Sequence, residues 1–216
     1  MYYSKHNNNI TYFFTWGKPL QIEGQGEIYK EDTDIGKDEN WTQEYTYLHI
    51  KDGITAINKG FLEAFCNLKN LIIDKSVKSI AMTDKLKAML KNNSVTIRGN
   101  YDSYGEKFAE ENSLLFIHKD IYLAIWHNEE HCESRTVTLH FTESGNMELL
   151  YEDFCQGISA GNTMGGTFTR NMPEKFHKGC TIEEFADMMP EIYFDQIMKN
   201  KELKEFLESY ANRKEK

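Results

Sequence analysis

A 23-residue spacing between two similar segments constrains the fold of this chain more than any other feature. The segment LHIKDGITAI begins at Leu48, and the segment LIIDKSVKSI begins at Leu71. A further strand-like run, VTI, begins at Val95, 24 residues after Leu71. A unit of this size cannot bury its own apolar face, whereas stacked units bury a continuous core. The spacing therefore predicts a short solenoid with parallel strands that start near Leu48, Leu71 and Val95.

The period and the motifs of residues 18–118 resemble the BspA-type leucine-rich repeats of bacteria. The segment IKDGITAINKGFLEAFCNLKNLIIDKSVKSI is similar to their repeat, in which DGVTSIG, AF, C-x-N-L and IP-x-SV-x-SI follow one another. The segment VTIRGNYDSYGEKFAEENSLLFI resembles the closing unit of that family. The segment LQIEGQGEIY, with Trp41 downstream, resembles its opening cap. The resemblance implies a leucine-rich-repeat fold with an N-terminal β cap and a face that contacts partners.

Residues between the buried positions of each predicted strand point away from the core, since side chains alternate along a strand. The residues predicted to point outward are His49, Lys51, Ile72, Asp74, Thr96, Arg98, Phe116 and His118. In this register Lys51, Asp74 and Arg98 form a ladder of alternating charge across neighbouring strands. Such cross-strand pairs contribute roughly 0.2–1 kcal/mol each. The ladder either fixes the strand register or belongs to a partner-binding face.

The period changes after Asp120, and the remaining residues predict a different architecture. IYLAIW and TVTLHF alternate at period two and MELLY follows, which indicates an antiparallel meander. A Gly-rich loop, QGISAGNTMGGTF, precedes a helix that Thr181 and Glu184 open as a capping box. An amphipathic helix closes the chain. We therefore predict an α+β protein with a short leucine-rich-repeat domain at 1–118 and an α+β domain or extended cap at 119–216.

Composition and charge exclude several classes of function. The formal net charge is −9, and no Lys/Arg cluster is dense enough for a nucleic-acid footprint. No uncharged apolar run approaches the roughly 20 residues that span a bilayer, and the N-terminus is not typical of a signal peptide. The four cysteines form no C-x-x-C pair, which indicates free thiols in a reducing compartment. We expect a cytoplasmic protein that binds neither nucleic acid nor membrane.

Two metal-site patterns lack the spacing that their chemistry needs. His127, Glu130 and His131 form an H-x-x-E-H pattern followed by Cys132, but zinc peptidases place this pattern on a helix. Here it is predicted to lie in a hairpin loop. His177 and Cys180 could join that loop in a structural zinc site, although metal-finger spacing is missing. A run of aspartates from Asp32 to Asp38 lacks the final Glu of a calcium loop. We expect no metal and no cofactor.

One pattern suggests a hydrolase. Gly157 to Gly161 reads G-x-S-x-G around Ser159, the pattern of a nucleophile elbow. The elbow needs a helix directly after it, whereas NTMGGTF follows here. His177 and Glu174 are too close together in sequence to supply separate members of a triad. A hydrolase that uses Ser159 therefore stays as an alternative only.

The acidic charge is concentrated in one segment. Residues 23–44 contain eight acids and two lysines, a net charge of −6. Such a segment is either a solvated loop or a surface for a basic partner. The residues predicted to bind a partner are Asp32, Asp34, Asp38, Glu39, Glu44, Lys51, Asp74 and Arg98. We interpret the chain as a non-enzymatic protein-interaction module, possible alternatives being a stoichiometric inhibitor, such as a bacterial immunity protein, and a hydrolase.

Overall fold

A computed structural model describes residues 1–15, 18–37, 40–130, 133–156, 163–172, 176 and 179–214. The chain divides into two compact units, Met1–His118 and Lys119–Lys216. Both helices and strands are present, and the fold is α+β. The division coincides with the point at which the repeat ends in the sequence.

The strands are β1 (Tyr2–Tyr3), β2 (Thr11–Phe13), β3 (Leu20–Glu23), β4 (Gly26–Ile28), β5 (Tyr47–Ile50), β6 (Ile54–Ile57), β7 (Asn70–Ile73), β8 (Ser79–Ile80), β9 (Thr96–Gly99), β10 (Phe116–His118), β11 (Ile121–Asn128), β12 (Glu133–Phe141), β13 (Met147–Gln156) and β14 (Thr163–Asn171). The α-helices described are α1 (Asp84–Asn92), α2 (Tyr104–Glu111), α3 (Ile182–Ala186), α4 (Phe194–Met198) and α5 (Lys201–Lys214). Short 3-10 helices occupy Lys30–Thr33, Trp41–Glu44, Leu62–Ala64 and Glu191–Tyr193.

The first unit contains a seven-stranded sheet in the order β1-β2-β3-β5-β7-β9-β10. β1, β2 and β3 pair in antiparallel fashion, and from β3 onward the neighbours are parallel. Leu48 lies opposite Leu71 on adjacent parallel strands. This pairing confirms the 23-residue register that the sequence predicts between β5 and β7.

The register of the third strand differs from the prediction. Ile97, and not Val95, lies opposite Leu71, an offset of 97 − 71 = 26 residues. The connection before β9 contains the helix α1, whose first turn is capped by the Thr83 hydroxyl. This connection is longer than the 3-10 turn Leu62–Ala64 that precedes β7. The longer connection shifts the strand, because each strand begins where its connection ends.

A second correction follows from the same strands. Ile117 pairs with Arg98, so it occupies the position that the prediction gave to Phe116 or His118. Phe116 instead packs against the main apolar cluster of this unit. Alternation along a three-residue strand is too short a signal to fix which residue points inward.

The core of the first unit joins two sheets. A three-stranded parallel sheet, β4-β6-β8, supplies Ile28, Ile54 and Ile57 to the same apolar cluster as Leu48 and Leu71. These five side chains are at most 1% exposed. Each buried Leu or Ile contributes roughly 1.5–3 kcal/mol relative to an exposed one. The repeated positions therefore hold the stacked strands together.

The second unit contains the predicted antiparallel meander and one additional strand. β11, β12, β13 and β14 pair in that order, all antiparallel. The sequence MGGTF, predicted to be part of a loop, lies in β14, where Phe168 pairs with Tyr151. Backbone pairing with β13 overrides the weak strand propensity of two glycines. The turn after Phe141 confirms the predicted hairpin, since Gly145 has a φ of +82°.

Helices complete the second unit. The Thr181 hydroxyl accepts from the Glu184 N–H at 3.2 Å and the Glu184 carboxylate accepts from the Thr181 N–H at 3.1 Å, which confirms the capping box. Phe206 on α5 packs against Phe141 on β12, with ring centroids 5.1 Å apart. α4 and α5 contact β11, so these helices pack against the sheet.

Candidate functional site

Asp32 is a buried structural residue. Its carboxylate accepts a hydrogen bond from the Ser4 hydroxyl at 2.7 Å and another from the Tyr29 N–H at 2.8 Å. The side chain is fully buried. Asp32 therefore holds the N-terminal residues against the start of the acidic segment. The prediction that it belongs to an exposed acidic surface is corrected, because sequence charge alone does not reveal a carboxylate with internal donors.

Tyr12 completes this buried network. Its hydroxyl donates to the Asp32 backbone oxygen at 2.8 Å. Burial, and secondarily the negative charge of Asp32, raises the pKa of Tyr12 well above its usual range. The phenol thus stays neutral and remains a donor at every physiological pH.

Asp34 and Glu44 lie on the exposed surface. Asp34 forms an ion pair with Lys5 at 3.1 Å and accepts from the Gly36 N–H at 3.1 Å. The hydrogen bond from Lys5 is the main reason why the pKa of Asp34 is lowered. Glu44 ends the 3-10 helix Trp41–Glu44. Asp38 and Glu39 lie outside the described residues.

The predicted charge ladder does not form an exposed surface. Asp74 and Arg98 are only 4% and 8% exposed. Arg98 pairs with Ile72, and not with Asp74, because of the 26-residue offset. Asp74 instead lies 3.2 Å from the His49 imidazole, and Lys51 is half-buried. The sequence predicted which way these side chains point, but alternation does not show whether a face is covered.

An aromatic cluster occupies the β1 edge of the seven-stranded sheet. We define the aromatic edge as Tyr2, Phe14, Lys37, Trp41 and Tyr45. Phe14 lies at the centre of the cluster, with its ring centroid 5.1 Å from Tyr2, 5.4 Å from Tyr45 and 5.8 Å from Trp41. Tilted and edge-on pairs at such distances stabilise one another beyond their apolar area. The cluster is therefore a preorganised group of rings.

A cation lies on the outer side of this cluster. The Lys37 ammonium is 4.3 Å from the ring centroid of Phe14 and 5.0 Å from that of Tyr2. An ammonium within about 6 Å of a ring face is attracted by the electrons of the ring. The lysine side chain thus covers rings that would otherwise be open to solvent.

Apolar side chains continue outward from the cluster. Met1 is 65% exposed, Tyr2 41% and Tyr3 52%. Tyr2 and Tyr3 form β1, the outermost strand of the sheet. Trp41, in contrast, is buried, and its indole N–H donates to the Thr33 oxygen at 2.9 Å. The aromatic edge therefore runs from an anchored, buried ring to exposed ones.

Acidic groups border the aromatic edge. Asp34, Lys37 and Trp41 line the same surface depression of about 660 Å³. Burial, followed by the negative charge of Glu44, raises the pKa of Tyr45. A carboxylate thus lies close to the ring of Tyr45. The sequence analysis identified this acidic charge and missed the rings, although MYY and YFF near the N-terminus are dense in aromatic residues.

The metal-like and hydrolase-like motifs are placed only in part. His127 lies on β11 and Glu130 in the following turn, which confirms a hairpin in place of a helix. His131, Cys132, Glu174, His177 and the 157–161 motif with Ser159 lie outside the described residues. Over the described part of the chain, no group of three or more His, Cys, Asp or Glu could hold a metal ion. Within that part, the helices are all too short or too polar to cross a membrane.

Comparison of the chain with protein-family models, with curated proteins and with solved structures found no significant match.

Proposed function

We propose that this protein is a non-enzymatic protein-binding module, built on a short leucine-rich-repeat scaffold, that holds a basic partner protein at its aromatic edge. The observation that carries the proposal is the Lys37 ammonium over the rings of Tyr2 and Phe14, next to the exposed side chains of Met1 and Tyr3. Resemblance of residues 18–118 to BspA-type repeats supports the scaffold.

The residue types at this edge are those that dominate binding energy in protein interfaces. Aromatic residues and methionine are enriched there, and a few large rings at the centre carry most of the affinity. Tyr2 is held by Phe14, and Phe14 packs on the buried Trp41. A partner would therefore meet rings that are already ordered, so little side-chain entropy is lost on binding.

The acidic border supports a basic partner. Asp34 and Glu44 are exposed beside the rings, and residues 23–44 carry a net charge of −6. Charges at the rim of an interface act mainly by steering association and by selecting the sign of the partner. A basic side chain on the partner could also replace Lys37 over the rings. The expected interface thus has an apolar centre and an acidic rim.

The proposal is tested by comparing three forms of the tagged full-length chain. These are the wild type, Tyr2→Ala and the control Leu115→Ala, which removes an apolar side chain that is 48% exposed elsewhere. Partners are captured from lysate of the source cells, identified by mass spectrometry and then purified for titration. We expect a basic protein that binds at a 1:1 ratio and is lost with Tyr2→Ala alone. Equal binding by all three forms would contradict the proposal.

The same titration separates a scaffold from an inhibitor. If the purified partner is an enzyme whose activity disappears at one equivalent of this chain, the inhibitor alternative holds. If its activity is unchanged at saturation, the chain acts as a scaffold.

A further inference from the structure

A basic depression lies at the beginning of α2, away from the aromatic edge in sequence and in lining residues. It encloses about 450 Å³. Its charged lining residues are Lys75, Lys78, Lys107 and Asp102, three cations against one anion. The whole chain, in contrast, has a net charge of −9. The depression is therefore locally positive on an acidic protein.

Ser103 lines this depression and has an unused hydroxyl group. The residue is only 9% exposed, and its Oγ has no hydrogen-bond partner among the described residues. Ser103 has the backbone conformation of a helix N-cap, yet its side chain caps nothing. Thr83 at the start of α1 provides the contrast, because its hydroxyl accepts from the Leu86 N–H at 3.0 Å. A buried polar group without a partner is costly, and a ligand would remove that cost.

The helix supplies further donors at the same place. The first N–H groups of a helix have no partner within it and carry a partial positive charge. In the described structure, the N–H groups of Tyr104 and Gly105 are not bonded to any acceptor. Gly105 has no side chain to cover its own backbone, and a Cβ there would contact the Ser103 Oγ at 3.5 Å. Backbone donors and the hydroxyl group therefore lie side by side.

Two side chains are positioned to complete a ring of donors. The Lys78 ammonium donates to the Lys75 backbone oxygen at 2.9 Å, which holds it close to the lining. The Tyr104 hydroxyl accepts from the Ile80 N–H at 3.0 Å, so its own hydrogen can be donated elsewhere. Donors and cations thus outnumber acceptors around the depression. A tetrahedral oxyanion is the ligand whose many acceptors match this arrangement.

We propose that the depression at the start of α2 binds a phosphate group, held by the Ser103 hydroxyl, the Tyr104 and Gly105 N–H groups, and the ammonium groups of Lys75, Lys78 and Lys107. The volume exceeds that of a bare phosphate ion, and a phosphate monoester therefore also fits. The group belongs either to free inorganic phosphate or to an ester. This site is independent of the proposed protein-binding function.

The site is tested by calorimetric titration of the full-length protein with sodium phosphate and with O-phosphoserine. Chloride at equal ionic strength serves as the salt control. Four variants are compared with the wild type: Ser103→Ala, Lys107→Gln, and the controls Thr83→Ala and Lys85→Gln. A thermal melt of each variant without phosphate shows whether the substitution alters folding.

We expect saturable binding by the wild type, weakened about tenfold or more by Ser103→Ala, since hydrogen bonds to a charged group contribute that much. Lys107→Gln should weaken binding severalfold, and Lys85→Gln should not. Thr83→Ala should lower the melting temperature and keep the affinity, whereas Ser103→Ala should keep the melting temperature. Tighter binding of O-phosphoserine than of phosphate would identify an ester as the ligand, and equal binding would identify free phosphate. No saturable binding beyond the chloride control, or loss of stability without loss of affinity in Ser103→Ala, would overturn the proposal.

Discussion

The side-chain amide of Gln196 binds the backbone of Ile125 in the manner of a neighbouring strand. Its Oε1 accepts from the Ile125 N–H at 2.9 Å, and its Nε2 donates to the Ile125 oxygen at 2.5 Å. One turn further along, the Asn200 amide donates to the Tyr122 oxygen at 2.8 Å. β11 is an edge strand of its sheet, and exposed edges pair with other chains. Two amides thus occupy donors and acceptors through which β11 could pair with a second molecule.

Replacing Gln196 by alanine should destabilise this edge and promote self-association. The two lost hydrogen bonds are worth roughly 1–2 kcal/mol of unfolding free energy together, because each contributes about 0.5–1.5 kcal/mol net. Urea denaturation measures the loss, and sedimentation at increasing concentration measures association. Lys199→Ala, on the exposed residue that caps α4, is the control and should change neither quantity. A monodisperse Gln196→Ala variant at high concentration would contradict the protective role.

The contrast between Asp32 and Asp34 gives a second prediction. Asp32→Ala leaves the Ser4 hydroxyl and the Tyr29 N–H without their buried acceptor, which should cost roughly 2–4 kcal/mol of unfolding free energy. Asp34→Ala, two residues away, removes only an exposed ion pair and should leave the melting temperature nearly unchanged. Chemical denaturation of both variants measures the difference. Equal stability of the two would show that the buried network does not stabilise the fold.

Neutralising the exposed acids should slow association with a basic partner. The variant carries Asp34→Asn, Asp38→Asn, Glu39→Gln and Glu44→Gln, and it retains Asp32 because that residue is structural. The association rate should fall at low salt and lose its salt dependence, since screening acts over about 8–10 Å at physiological ionic strength. Stopped-flow kinetics with the purified partner measure both effects. An unchanged rate at low salt would make the segment a solvated loop.

The pH dependence of Asp34 gives a fourth prediction. Its pKa is lowered, chiefly by the hydrogen bond from Lys5, relative to an ordinary aspartate value of about 3.9. A lowered pKa in the folded state means that the stabilisation is present above the ordinary value and is lost as the pH falls through the lowered one. Lys5→Met should therefore raise the pKa of Asp34 toward its ordinary value in an NMR titration. Lys18→Met, at another exposed lysine, should not, and an unmoved pKa in Lys5→Met would exclude the ion pair.

Local periodicity predicted much of the architecture. The 23-residue spacing placed Leu48 opposite Leu71, and period-two alternation predicted the hairpins of the second unit. These features depend on residues close in sequence or on equal spacing, which a single sequence displays directly. The offset of Ile97 was missed because a helix replaced a turn in one connection, and spacing does not report that change until the connection's structure is known.

The candidate site could be predicted only in its charge. Contacts between residues far apart in sequence decide the rest, as in the Ser4 bond to Asp32 and the Gln196 bonds to Ile125. The aromatic edge combines Tyr2, Phe14 and Lys37 from three separate segments. No local pattern marks such groups, because only the folded chain brings them together. The acidic segment was visible in advance because its residues are contiguous.

The unequal offsets between neighbouring parallel strands bear on how a chain of this kind can change length over evolutionary time. Between β5 and β7 the repeat returns to the same point after 23 residues, so a tandem duplication of that stretch would add one more rung in register. Between β7 and β9 the return takes 26 residues and includes α1, so a copied 23-residue stretch would arrive out of phase. Genetic growth by whole modules is therefore confined to the N-terminal side of α1, while the C-terminal side has a fixed size.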